Sequence, residues 1–427
     1  MKDGIVFMHP GTGSFVQEAA TALHEAGLLQ EYRTTLHYEP DAAWQSAAAR
    51  IGRMLGIDVD RELARRAIRP VLAPYVRGYP LRELVRSISS RLDRSGVITD
   101  VIWEWGELGF DRWVSRTLPP DAKAVYGYEH ACLETFRMAR RRGMRCIYEV
   151  PAPEPAYVQA LLDGEAKRYP ELRGRYQRRL ARRRRQRSAR CREEWRLADR
   201  VVANSLVTRD SYADAGFDMA KVAVIPLGAP ETLPEPIVRP RSLSTSGSVA
   251  FLYAGTLSIR KGGHLLLSSW RQLDFRSAAE LHIFGRVELP TSLLAGLPPN
   301  VHFHGTVPQS ELADWYSGSD VLVFPTLCDG FGLVVTEALA HGLPVITTSK
   351  AGAGMLVEHG VNGLRIEAGS VGDLSAALQW CVDNSTALEA MRPGCLASAR
   401  KWSWARYRSD LGRIVSEVLA VKGGGAS

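Results

Sequence analysis

The sequence predicts an α/β protein of two Rossmann-like domains, each a parallel sheet with helices on both faces, opposed across a central cleft. Three observations carry this. Short apolar runs alternate with amphipathic stretches almost throughout, the pattern of strand–helix–strand units. The length of 427 residues exceeds one ordinary core. A stretch holding Pro230, Pro234, Pro236 and Pro240, then Ser242, Ser244, Ser246 and Ser248, lacks hydrophobic periodicity and reads as a linker.

The elements follow in order. Residues 5–8 form a first strand, then Gly11-Thr12-Gly13-Ser14 and a helical pattern through Val16, Ala19, Ala20, Leu23 and Ala26, stopped by Gly27. Residues 124–126, 146–150 and 201–203 read as further strands of this half. The second half offers 249–253, 281–284, 321–324 and 344–348. The expected division is 1–230, 249–400, and a C-terminal helix at 401–420 crossing back to the first domain. The tail 422–427 is expected to be disordered.

Composition is ordinary for a globular chain, with 45% hydrophobic and 23% charged residues. No run reaches the ~18 apolar residues of a membrane span. The N-terminal apolar stretch is too short for a signal peptide. The six cysteines show neither metal-ligand spacing nor a disulfide framework, so a cytoplasmic setting is expected. Residues 1–230 carry 38 Lys+Arg against 29 Asp+Glu, and the remainder 16 against 17, so the net charge of +8 belongs to the first half. That half is expected to meet something anionic.

The densest chemistry lies between residues 321 and 346. A buried strand ends at Pro325, and Asp329-Gly330-Phe331-Gly332-Leu333 leads into a helix carrying Glu337. The unpaired N–H groups at such a helix start carry partial positive charge and bind phosphate. Glu337 falls about one and a half turns in, so it can face the same cleft and accept hydrogen bonds from sugar hydroxyls. Asp329 precedes the helix and can do likewise. Each acid alone reads as a solvated or capping residue; the strand–Gly-Phe-Gly–helix context favours a nucleoside diphosphate carrying a sugar.

Here the sequence resembles glycosyltransferase family 4, whose members are retaining enzymes of the GT-B fold. The family carries an acid, seven residues and a glutamate around Gly-Phe-Gly, as do Asp329 and Glu337, although the first acid is usually Glu. The stretch 253–262, with Arg260 and Lys261, is similar to the family's phosphate-binding loop; Thr256 stands where Arg is frequent. Further matches are Arg200–Ser205, Ile225–Gly228, Gly305–Pro308, Val361–Leu364 and Trp402–Trp404. The resemblance implies transfer of a sugar from a UDP- or GDP-sugar, with retention, to a saccharide or lipid-linked saccharide. Arg260 and Lys261 suit the task physically. Preplaced cations stabilise the charge that grows on a leaving diphosphate, and they can replace a metal. No essential metal or separate cofactor is expected.

Weaker signals lie in the first half. Gly11-Thr12-Gly13 follows a strand and precedes a helix, where it either approaches donor phosphates or acceptor, or is a plain tight turn. His130 lies near a strand end, as a residue that moves an acceptor proton or as a structural histidine. Family members often carry a histidine in a later loop; the stretch 148–151 has none, which leaves Glu149 as a second cleft candidate. Asp58 and Asp60 superficially resemble a metal-binding Asp-x-Asp, but the helix after them favours capping. Residues 171–192 carry eleven arginines, including Arg182 to Arg185. They read as a solvated face that touches anionic lipid head groups peripherally at the inner face of the cell membrane. Aromatic residues there are too sparse to favour nucleic acid. A pair of domains that binds a nucleotide sugar without turnover is the rival reading of the whole chain.

Overall fold

The computed structural model describes residues 4–39, 42, 45–46, 49–50, 59–80, 97–172, 175–232 and 248–420. The linker positions 233–247, the tail, Asp58 and the side chains of Asp60, Arg182, Arg183 and Arg185 lie outside the described residues.

The first sheet comprises β1 (Ile5–Met8), β2 (Leu29–Thr34), β3 (Val76–Gly78), β4 (Ala124–Tyr128), β5 (Arg145–Val150), β6 (Arg200–Ala203) and β7 (Val222–Val224), in the order β3-β2-β1-β4-β5-β6-β7. The second comprises β8 (Val249–Ala254), β9 (Ala279–Phe284), β10 (Val301–Gly305), β11 (Val321–Phe324), β12 (Val345–Thr348) and β13 (Gly363–Ile366), in the order β10-β9-β8-β11-β12-β13. Adjacent strands of both sheets pair in parallel, as in β1 with β4 and β8 with β11. The central strands IVFM, VAFLYA and VLVF are buried at every position, which a sheet covered on both faces requires. The order reverses between β1 and β4, and again between β8 and β11. Open parallel sheets bind ligands beyond the carboxyl ends of strands at such a switch point. The loops after these four strands begin at His9, Glu129, Gly255 and Pro325.

Five helices position the site: α1 (Ser14–Glu25), α2 (Pro155–Arg168), α3 (Arg175–Leu197), α4 (Leu333–Ala340) and α5 (Trp404–Ala420). Helix α5, from the end of the chain, lies on the first domain. Its Tyr407, Leu411, Val415 and Val418 join one core with Val16, Leu23 and Phe7. Arg408 donates to Glu18 at 2.7 Å and to Glu25 at 3.0 Å on α1. Gly412 lies at the close approach, where an added Cβ would make a tight contact of 3.3 Å with that of Ala26. The exchange is mutual. Helix α2 leaves the first domain and places Val158 and Leu162 in the second domain's core with Phe251 and Trp270. Glu165 of α2 then faces His264 at 3.0 Å. Burying each such aliphatic side chain stabilises by about 1.5–3 kcal/mol, so both helices bind the halves together. The two crossing segments also pair: Ala229 donates its N–H to Trp402 at 2.7 Å, and Ala229 bridges Ser403.

Candidate active site

Two loops of the second domain are stitched to each other. From β8 the chain turns at Gly255 (φ 119°), passes Arg260 and Lys261, and turns again at Gly262 (φ 71°). A side chain at Gly262 would meet the Pro325 carbonyl at 2.0 Å, so only glycine lets the two loops touch. The Arg260 carbonyl accepts from Leu327 N–H at 2.9 Å and from Thr326 Oγ1 at 3.1 Å. The Arg260 guanidinium donates to the Cys328 carbonyl at 2.8 Å. This stitching brings both cations to Asp329: Oδ2 lies 3.4 Å from Lys261 Nζ and 3.6 Å from Arg260 Nη1. Burial works to raise the Asp329 carboxyl, yet Arg260 and Lys261 hold it below the ordinary value. Its Oδ2 is buried and makes no hydrogen bond among the described residues. Lys261 Nζ also sits 5.3 Å from the centre of the Phe324 ring.

Gly332 (φ 90°) is the N-cap of α4, and no side chain caps that helix. The N–H groups of Leu333 and Val334 are therefore left for an acceptor from outside, whereas Val335 N–H donates to the Gly332 carbonyl at 2.9 Å. Glu337, on the same helix, accepts from the Tyr316 hydroxyl at 2.8 Å. Burial raises its pKa against the opposing pull of Tyr316, Gln309 and Lys261. Leu333, Thr336 and Glu337 line a cavity of about 710 Å³ together with Ser14 of α1, Gly228 and Trp404, so this cavity lies between the domains.

The first domain seats the donor-side loop. A Cβ at Gly330 would stand 2.2 Å from the Pro151 carbonyl oxygen. The Gly330 carbonyl accepts from Ser205 Oγ at 2.5 Å, and Asn204 holds the Pro151 carbonyl at 2.7 Å. Phe331 is buried in the core shared with α1 and α5. In the loop after β1, His9 Nδ1 accepts from Gly11 N–H at 2.8 Å, and Gln17 donates to the Thr12 carbonyl at 2.9 Å. The N-cap Gly13 has φ −58°, and added Cβ atoms at Gly11 and Gly13 would meet only His9 and Phe15, at 3.4 and 3.6 Å. Neither backbone strain nor crowding within the protein therefore requires glycine at these two positions. Burial lowers the His9 pKa to about 4, so the ring is neutral near pH 7.

Other sequence candidates fall elsewhere. Glu149 is buried at 1% exposure beneath α5, where the Tyr126 hydroxyl donates to it at 2.6 Å. Burial raises its pKa to about 7. His130 follows β4 with φ 72°, and its ring lies beside Glu129 and Cys191 rather than in the 710 Å³ cavity. The arginine-rich segment is not simply a solvated face. In α3, Cys191 and Trp195 are buried, Arg190 pairs with Asp111 at 2.6 Å and with Glu194 at 3.1 Å, and Arg184 donates to Gln159 at 2.8 Å. Sequence reasoning missed His9, Tyr316 and Gln309. The only signal for His9 was its place at the end of a strand, before a glycine loop.

The two facing Rossmann-like domains and the site between them define the GT-B class. Residues 248–384 match the family described as Glycosyl transferases group 1. HepE (Alr3699) of Anabaena, solved in complex with UDP, superposes with a TM-score of 0.62 at 17% identity over 98% of this chain and 100% of that one. Sucrose-phosphate synthase from Thermosynechococcus elongatus gives 0.64 at 17% identity, over 99% and 100%. Among curated proteins, a D-inositol 3-phosphate glycosyltransferase of Catenulispora acidiphila is 28% identical over 244 residues, 52% of this chain and 57% of that protein. One from Thermobispora bispora is 32% identical over 124 residues, 29% of each. The matched regions thus span between 29% and 57% of these two relatives. Among the described residues no helix is long and apolar enough to cross a membrane.

Proposed function

We propose that this protein transfers a sugar from a nucleoside diphosphate donor, such as a UDP- or GDP-sugar, to a saccharide or lipid-linked saccharide, with retention at the anomeric carbon. The observation that carries this is the uncapped start of α4, with Arg260, Lys261 and Asp329 on one side and Glu337 facing the interdomain cavity on the other. The diphosphate binds at the N–H groups of Leu333 and its neighbours. As the bond from sugar to diphosphate breaks, negative charge grows on the leaving oxygen. Arg260 and Lys261 are already in place and stabilise it without a metal. Asp329 orients both cations through Oδ2, and the rest of its carboxylate accepts from sugar hydroxyls. Glu337, with Oε2 held by Tyr316, accepts from the ribose. Gly11 and Gly13 let the phosphates or the acceptor approach the backbone after β1. The likeness to HepE, solved with UDP, supports a nucleotide donor. The basic first half meets the acceptor, at an anionic membrane surface on the cytoplasmic side.

A panel of nucleoside diphosphates and their sugars tests the proposal through thermal stabilisation, donor hydrolysis and sugar transfer. Stabilisation and turnover with one donor are expected. Stabilisation without turnover makes the chain a nucleotide-sugar-binding protein, and no response to any nucleotide removes the site. Glu337→Ala should weaken nucleoside diphosphate and donor alike, whereas Asp329→Ala should weaken the sugar donor more than the free nucleoside diphosphate.

A further inference from the structure

Beyond β4, at the switch point of the first sheet, three donor atoms of different chemistry converge. His130 Nε2 lies 3.0 Å from Glu129 Oε1, Cys191 Sγ lies 3.3 Å from the same oxygen, and Cys191 Sγ lies 3.8 Å from His130 Nε2. The Glu129 and His130 side chains are 6% and 11% exposed, and Cys191 is fully buried. We propose that Glu129, His130 and Cys191 form a binding site for one zinc-like divalent cation.

The distances fit such an ion. Tetrahedral zinc with bonds of about 2.3 Å to sulfur and about 2.0–2.1 Å to nitrogen and oxygen separates S from N or O by about 3.5 Å, and N from O by about 3.3 Å. The three separations here differ from those edges by about 0.3 Å or less. A thiol and an imidazole beside a single carboxylate select zinc over magnesium or calcium, which prefer oxygen alone.

The surroundings hold the donors in place and carry more carboxyls than cations. His130 takes φ 72°, which a non-glycine residue rarely adopts. Helix α3 clamps it there: Glu194 accepts the His130 N–H at 2.9 Å, and Arg190 donates to its carbonyl at 2.8 Å. The strained turn aims the ring at Cys191 of the same helix. Glu129, Glu194 and Asp111 bring three buried or nearly buried carboxyls, and Arg190 is the cation paired with two of them. A divalent ion supplies the missing charge. The Tyr212 hydroxyl is buried without a hydrogen-bond partner among the described residues. Binding converts the Cys191 thiol to a thiolate and releases its proton to solvent, while His130 binds neutral and Glu129 ionised. The site ties the end of β4 to α3 and stands apart from Arg260, Lys261 and Asp329, so metal-free departure of the diphosphate is compatible with it.

The test uses the full chain after exhaustive chelation. Zn²⁺ is titrated against a chromophoric chelator, and Co²⁺ is added separately to read the near-ultraviolet thiolate-to-cobalt band. One ion per chain, a cobalt band, and a rise in thermal stability with Zn²⁺ are expected. Cys191→Ser and His130→Gln should each weaken binding by at least about tenfold, since even outer partners of a metal site are worth that much. Cys328→Ser, at a cysteine of the other domain, should bind as the parent does. No stoichiometric uptake, uptake without a thiolate band, or equal affinity in the Cys191 and His130 variants overturns the proposal. If a variant fails to fold, the cobalt spectrum of the parent chain alone decides.

Discussion

Replacing Gly330 by alanine places a methyl carbon 2.2 Å from the Pro151 carbonyl oxygen and 3.0 Å from Ala152 Cα. Carbon and oxygen that are not bonded rest about 1 Å farther apart than that. Pro151 cannot yield easily, because Asn204 holds its carbonyl at 2.7 Å. The donor-side loop must therefore move by about 1 Å, lose the hydrogen bond from Ser205 to the Gly330 carbonyl, and carry Asp329 and the start of α4 with it. Crowding of this kind costs about 1–3 kcal/mol of stability. A displacement of about 1 Å at groups that position a reacting centre lowers turnover by about 10². Thermal melting and steady-state transfer with the donor found by the panel measure the two effects. A Gly330→Ala chain with the parent's melting temperature and turnover would show that the contact with Pro151 does not set the position of the donor loop.

Lys261→Ala should lower turnover by about 10²–10³ and also lower the melting temperature, because it removes both a preplaced charge and one of the two cations paired with the buried Asp329; near-normal turnover in the Arg260→Ala, Lys261→Ala pair excludes both from the mechanism. Glu149 has a folded pKa of about 7, above its ordinary 4.5, so its contribution is full below about pH 4.5 and is lost as pH rises through 7. Glu149→Gln should accordingly stabilise at pH 8 by about 1–3 kcal/mol and gain little at pH 4.5; an equal gain at both pH values refutes the assigned burial effect. Gly164 lies inside α2 with no atom within 4 Å of an added Cβ, so Gly164→Ala should raise stability by about 0.5–1 kcal/mol in denaturant titration, and a loss would contradict the open space there. The chain should sediment with anionic vesicles at low salt and release at high salt, and charge reversal at Arg182, Arg183 and Arg185 should reduce this without altering nucleotide affinity; equal behaviour toward neutral vesicles leaves a non-membrane acceptor.

The central strands were legible because they are buried on both faces and read as uninterrupted apolar runs. The 5–8 and 321–324 strands were found at their observed bounds. The edge and outer strands were not. β2 reads LQEYRT, β10 reads VHFHG and β13 reads GLRI, where polar residues, buried in the case of Arg33 and Thr34, break both the run and the alternation. The helix start at Gly332 was legible from glycine and the apolar residues after it. What the sequence could not display is contact across long separations. Nothing local relates Gly330 to Pro151, and Cys191 meets His130 across 61 residues, so metal-ligand spacing among the cysteines gave no sign of it. Glu149 was a cleft candidate because its stretch stands where family members often carry a histidine, but its carboxylate is buried beneath α5, where Tyr126 donates to it.

The mutual exchange of α2 and α5 bears on how the chain is made. Synthesis proceeds from the N-terminus at about 5–20 residues per second. The helix that completes the first domain's core ends at Ala420, while the strands of that domain end at Val224. For roughly 10–40 seconds at that pace, the first sheet stands beside the ribosome with Val16 and Leu23 lacking their partners on α5. Helix α2 waits likewise for the sheet onto which Val158 and Leu162 fold. A chain cut at the linker inherits the same deficit permanently in both pieces. Chimeras that graft one half onto a relative will keep their solubility only when α2 and α5 are chosen to match the half they cover, rather than the half to which they belong in sequence.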